Sequence, residues 1–253
     1  MSLIRDTWTM AQRSLRHTVR SMDTIITVLI TPIAMMLMFV FVFGASFEKS
    51  LGDVKYIDFI TPAIVIMTVV SGIAYAAVRL SMDLQKGIIN RFKTMPVAPS
   101  SILGGHATSS TLSNLFSTLL VLLVAFLVGF RSNAGIAEWL MFGGLTVLFT
   151  LATTWLALLF GLFAKTMEGA GAFSYILLFM IFLSSGFTPV DNMHPVLRWF
   201  AEHQPMTPII ETMRSLLTNG TIGDSAGIAI AWCVGLLVVS YVLALRIYKT
   251  KTV

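Results

Sequence analysis

Residues 57–78 read Ile57-Asp58-Phe59-Ile60-Thr61-Pro62-Ala63-Ile64-Val65-Ile66-Met67-Thr68-Val69-Val70-Ser71-Gly72-Ile73-Ala74-Tyr75-Ala76-Ala77-Val78. The stretch has no charged face, and its one charged residue, Asp58, lies at its edge. A helix of a soluble protein buries one apolar stripe and keeps the rest polar. A run of ~20 predominantly apolar residues instead fits the hydrocarbon core of a bilayer. Five more stretches qualify, approximately Thr24–Gly44, Ala107–Phe130, Trp139–Ala164, Gly169–Pro189 and Ser225–Leu245. Apart from Asp58, none of the six contains Asp, Glu, Lys, Arg or His.

The whole chain agrees. Of its 253 residues, 56% are apolar and 11% charged, against about 25% charged in a soluble domain. Mean hydropathy is +0.85. A water-soluble enzyme needs more polar surface than this, and disorder needs low hydrophobicity with high net charge. The single Cys233 excludes an intramolecular disulfide and a cysteine-based metal cluster. The expected fold is an all-α polytopic membrane protein, one domain over residues 1–253, with six transmembrane helices.

The basic residues set the orientation. Arg5, Arg13, Arg16 and Arg20, then Arg79, Lys86, Arg91 and Lys93, then Lys165, then Arg246, Lys249 and Lys251 fall on one side. Lys49, Lys55, Arg131, Arg198 and Arg214 fall on the other. Twelve against five places both termini in the cytoplasm by the positive-inside rule. The net charge of +5 therefore tracks the membrane rather than a nucleic-acid groove. The first apolar run is longer than the ~7–15 residues of a signal-peptide core, so an uncleaved span is expected.

Residues 1–23 form an arm in which Ile4, Trp8, Ala11, Leu15, Val19 and Met22 recur at helical spacing. They fall within an arc of about 80°, roughly opposite Arg5, Arg13, Arg16 and Arg20. Such a cationic amphipathic helix suits the headgroup layer or a soluble partner, and its direct continuation into the first span favours the interface. Residues 79–106 form the longest cytoplasmic loop. Ile88, Ile89, Phe92 and Met95 are apolar at helical spacing there, before Pro96 and Pro99. A short amphipathic helix in that place either docks in a groove of a soluble partner or lies on the membrane.

The outward residues 190–224 are too polar to span and too apolar for an open loop. Pro195 and Pro208 each suit a first helical turn, Thr207 an N-cap and Gly220 a C-terminal stop. Two short helices are expected, roughly Pro195–His203 and Pro208–Thr218, with Trp199 and Phe200 at the outer interface.

Several of these stretches carry a family resemblance. Asp83-Leu84-Gln85-Lys86-Gly87-Ile88-Ile89-Asn90-Arg91-Phe92-Lys93-Thr94-Met95-Pro96 resembles the coupling-helix region of type-2 ABC exporter permeases. Asn90 stands where that family usually has an acid. Ser185-Gly186-Phe187-Thr188-Pro189, followed by Trp199-Phe200-Ala201-Glu202-His203-Gln204-Pro205-Met206-Thr207-Pro208, resembles the daunorubicin-resistance-like drug-efflux branch. The resemblance implies a half-transporter: two copies of this chain with two copies of a separate ABC ATP-binding subunit, which binds ATP and Mg. It implies that Asp83, Gly87, Ile88, Ile89, Arg91, Phe92, Met95 and Pro96 couple to that subunit. It implies that residues 190–224 are short re-entrant helices capping the pathway, with Phe187, Pro189, Trp199, Phe200, Pro205 and Pro208 as an outer gate. It also places spans two and five along the path, with Thr68, Ser71, Tyr75, Tyr175, Phe179 and Phe182 as candidate lining.

The chain has no G-x-x-x-x-G-K-[ST] phosphate loop, so it is read as a transport subunit without a nucleotide site of its own. The charge-free span interiors weigh against proton or ion coupling and suit a hydrophobic substrate, a drug or toxic natural product. A lipid or lipid-linked glycan is the alternative cargo. An intramembrane serine protease built on Gly44-Ala45-Ser46-Phe47, or a scaffold for a membrane complex, is the alternative of another class. A protease needs a base beside Ser46, and His17, His106, His194 and His203 lie in flanks or at span ends. No two of them have a usual metal-ligand spacing. The expected setting is the inner membrane of a prokaryote.

Overall fold

The computed structural model describes residues 26–51, 54–85 and 99–252. The arm with Trp8, Arg13, Arg16 and Arg20 lies outside the described residues. So does the loop centre with Gly87, Ile88, Ile89, Arg91, Phe92, Met95 and Pro96.

The regular structure among the described residues is helical. The first membrane-length run, Val28–Glu48, is composite. A π-helical turn, Ile26–Ile30, leads into α1 (Thr31–Met38), and a second, Phe39–Phe43, leads into α2 (Gly44–Leu51). Pro32 opens α1, where its missing N–H is no loss. Its ring would crowd the carbonyl of Val28 in a regular helix, and the wider turn before it accommodates that.

The chain continues through α3 (Tyr56–Gln85), α4 (Pro99–Val128), α5 (Ile136–Phe163) and α6 (Met167–Phe182). Two short helices follow, α7 (Pro195–His203) and α8 (Met206–Arg214), before the final α9 (Ala226–Thr252). Both α3 and α4 run beyond their apolar windows, to Gln85 and from Pro99, so helix replaces much of the expected 79–106 loop.

Among the described residues, five helices are long and apolar enough to cross a membrane. The expected fifth span, Gly169–Pro189, is the exception. It forms only the 16-residue α6, about 24 Å at 1.5 Å per residue, against a hydrocarbon core of ~30 Å. The reason is local. The Ser184 hydroxyl donates to the carbonyl of Ile181 and accepts from the N–H of Gly186 at 3.1 Å. A serine that offers the backbone such bonds competes with the helix.

Helix α3 is the centre of the bundle. It packs against α4, α5 and α6, and 83% of its apolar window is enclosed, against 22% for Val28–Glu48 and for Ala226–Tyr248. An enclosed helix in lipid must still satisfy its polar side chains. Thr61, Thr68, Thr111, Thr146, Thr150 and Thr153 do so by donating to the carbonyl four residues back on their own helices. The end of the bundle where α3 finishes at Gln85 and α4 starts at Pro99 is the basic end. The end that bears residues 129–135 and 190–224 is called the capped end.

Candidate functional site

At the capped end, α6 stops early and leaves carbonyls without helical donors. Side chains from the following segment take them. Gln204 is buried between α7 and α8, and its Nε2 donates to the carbonyls of Met180 and Leu183, each at 2.8 Å. The Tyr56 hydroxyl, at the head of α3, donates to the carbonyl of Phe187 at 3.0 Å. The Ser185 N–H donates to the Thr207 hydroxyl at 3.4 Å. Thr207 therefore bonds the end of α6 rather than serving as the expected N-cap, and α8 starts at Met206.

Arg214, the last residue of α8, joins three elements. Its Nε donates to the Phe59 carbonyl at 3.0 Å. Its Nη2 donates to Ser185 O at 2.6 Å and to Gly186 O at 3.4 Å. Its Cζ stands 3.8 Å from the centre of the Phe59 ring, within cation–π range. The residue keeps some surface, while its guanidinium is enclosed. Burial brings its pKa down to about 10, against the favourable fields of Glu211 and Tyr56. None of the described carboxylates forms an ion pair with it.

The segment around Arg214 is held from the other side by the 129–135 turn. Ser132 Oγ donates to Leu217 O at 2.7 Å, and the Asn133 side chain to Thr218 O at 3.1 Å. Asp58 Oδ1 accepts from the Arg131 N–H at 2.9 Å, which ties that turn to α3. A π-helical turn, Ser215–Asn219, follows α8, and Gly220 ends it in the left-handed region at φ 61°. Glycine tolerates that conformation without a Cβ penalty, so the expected stop falls where the sequence placed it.

Aromatic rings line the same end. Phe187 is buried and stacks on Phe39 at 4.8 Å and on Phe182 at 5.0 Å. Phe47 stacks on Tyr56 at 4.9 Å. Of the expected gate residues, Phe187 and Pro208 are buried, while Pro189 and Pro205 are half-buried. Trp199 and Phe200 are on α7 and exposed, and Trp199 stacks on His203 at 4.8 Å. Ion pairs from Arg198 to Asp191 and Glu202 brace α7 at its surface.

The expected path residues fall into two groups. Thr68 and Ser71 are enclosed in the bundle, with Tyr75 half-buried nearby on α3. Helix α6 buries Ala170, Phe173, Ser174 and Ile181. Its opposite side carries Tyr175, Phe179 and Phe182, which are 72%, 61% and 40% exposed. Within one chain these two groups do not meet on a common face. Ser46 is exposed on α2. The described histidine ring bonds run to Asp83 and to the Trp199 carbonyl, not to Ser46.

At the basic end, Asp83 Oδ2 lies 3.2 Å from His106 Nε2, and the Gln85 amide donates to Lys165 O at 3.2 Å. Asp83 is the one described residue of the expected coupling set, and its carboxylate links α3 to α4 through His106.

Sequence reasoning counted Arg214 only as a flanking charge and passed over Tyr56 and Gln204. Arg214 had a usable cue. Ile210 and Leu217, four before and three after, share its helix face, and both are buried. A charge on an apolar face must find partners.

The chain matches the model of the ABC-2 type transporter over residues 5–218. It is 26% identical over 231 residues to the daunorubicin resistance ABC transporter permease protein DrrB1 of Streptomyces coeruleorubidus, covering 90% of this chain and 80% of that one. It is 23% identical over 250 residues to the probable doxorubicin resistance ABC transporter permease protein DrrC of Mycobacterium tuberculosis, covering 98% and 90%. It is also 23% identical over 225 residues to the putative transport permease ycf38 of Porphyra purpurea, covering 86% and 75%.

Proposed function

The chain belongs to the ABC-2 type transporter family, and on that premise we propose that it is the permease subunit of an ATP-driven exporter of hydrophobic compounds, drugs or toxic natural products. Two copies work with two copies of a separate ATP-binding subunit, which holds ATP and Mg. Residues 84–95 dock on that subunit, and both termini face the cytoplasm of a prokaryotic cell. Helix α6 and residues 183–189 together make the fifth of six crossings, and residues 190–224 re-enter the membrane to close the outer end of the pathway.

The observation that carries the reading is the construction of the capped end. Gln204, Arg214 and Tyr56 hold the 183–187 turn by side-chain bonds to carbonyls. Such bonds can be exchanged for water when a segment moves, whereas a continuous helix would have to break its own ladder. Two arrangements of one chain then compete, and ATP binding to the partner has only to favour one of them. The resistance names of the relatives agree with this cargo.

The test is co-purification with an ATP-binding subunit, followed by a screen of compounds for stimulated ATP hydrolysis. Stimulation by hydrophobic drugs is expected, and a response confined to lipids or lipid-linked glycans would move the substrate class. Ile89→Asp together with Phe92→Asp should abolish co-purification or cut stimulated hydrolysis by at least about tenfold, since each puts a charge into an apolar docking contact. Unchanged association and stimulation in that double variant would place the docking helix elsewhere.

A further inference from the structure

We propose that Arg214 is the positioning residue that keeps the outward segment shut, bridging α3 and the end of α6 through main-chain carbonyls and releasing them when water reaches its guanidinium. The proposal rests on the reading of residues 190–224 as a closing segment.

Three observations carry it. The acceptors belong to separate elements: Phe59 is in the first turn of α3, and Ser185 and Gly186 follow α6. Residues 206–219 therefore cannot move from either element without breaking bonds to the same side chain. Next, no described carboxylate forms an ion pair with the charge, and Glu211, three residues back on the same helix, acts on it only through its field. A fixed structural arginine is normally paired, because removing an unpaired charge from water is costly. Here the charge is spread over carbonyl dipoles and the face of Phe59. That arrangement holds while dry and has a competitor in water, so wetting and opening favour one another. Finally, the contact needs a planar fork. Nε and Nη2 serve Phe59 and Ser185 at the same time, while a lysine ammonium is a point donor on a flexible stem.

The side chain of Ser185 gives a probe, because only its main-chain groups take part in the bonding. Its hydroxyl oxygen is buried and has no partner, so Ser185→Cys is close to isosteric and removes no bond. Cys233 is buried and would be replaced by alanine. The rate at which a membrane-impermeant maleimide, applied to either face of vesicles without ATP, labels the thiol placed by Ser185→Cys reports opening of the segment.

With Arg214→Gln the rate should rise at least about tenfold, the equivalent of one lost charge-assisted hydrogen bond. Arg214→Lys should fall between the two, since it keeps the charge without the fork, while Arg214→Met, which fills similar space without donors, should rise as far as Arg214→Gln. Rates within about twofold of each other for Arg214 and Arg214→Gln would overturn the proposal. If Arg214→Gln fails to accumulate in membranes, the Lys variant decides, with at least about a threefold rise expected and no rise overturning the latch. The labelling needs no ATPase partner. A failed co-purification with a raised labelling rate would therefore sink the exporter reading and leave the latch standing.

Discussion

At the scale of single residues, the capped end is governed by which carbonyls find donors. Gln204→Ala would leave the carbonyls of Met180 and Leu183 without their side-chain donor. A buried group stripped of its partner costs about 1–3 kcal/mol, so a lower unfolding temperature in detergent is expected. Ser185→Ala is the matched control, because its hydroxyl oxygen is already unpartnered. Its removal should leave the unfolding temperature unchanged or raise it. Equal losses in both variants would show that bulk, not bonding, holds the turn. Some of this was legible in advance. Gly220 marks its own stop because only a residue without Cβ takes that turn freely. The partners of Gln204 and Tyr56 were not, since a side chain's reach to a carbonyl more than twenty residues away depends on tertiary placement.

At the scale of elements, close helix approach and helix length decide the geometry. A Cβ built on Gly161 of α5 would stand 2.7 Å from the Ala77 carbonyl oxygen of α3. Gly161→Ala must push the two central helices apart, at a cost of about 1–3 kcal/mol for overpacking. At Gly143, on the same helix, a Cβ would meet nothing within 4 Å. Gly143→Ala should be neutral or stabilise by about 0.4–1 kcal/mol through lost unfolded-state freedom. Unfolding temperatures of both variants in one detergent check the contrast. Gly72 lies against the Asn114 amide oxygen of α4, so a side chain there would require the Asn114 side chain to shift. By contrast, a Cβ added at Gly227 or Gly235 of α9, which flank Ala231 at intervals of four, would meet no described atom of the chain within 4 Å. Small residues at a spacing of four permit close approach, but they do not say which helix will approach.

At the scale of the whole molecule, one enclosed helix organises a bundle whose rim faces outward. Tyr175 and Phe179 on α6 belong to the rim, and Thr68 belongs to the centre. Tyr175→Ala with Phe179→Ala should leave accumulation in the membrane intact and change which compounds stimulate ATP hydrolysis in the complex. Thr68→Val should change neither greatly, because its hydroxyl is spent on the Ile64 carbonyl. A compound profile unaffected by the paired substitution would assign the α6 face to lipid. The sequence by itself determined the solvent, the helical class and the positions of five long apolar helices. Those follow from hydropathy and local spacing, which every residue reports independently of the fold. Only the tertiary structure decided that α3 is the core and that Arg214 is enclosed between α3 and the end of α6. Each of these depends on which carbonyls and faces meet across long stretches of chain, and in an apolar setting an unmet polar group is too costly to leave to chance.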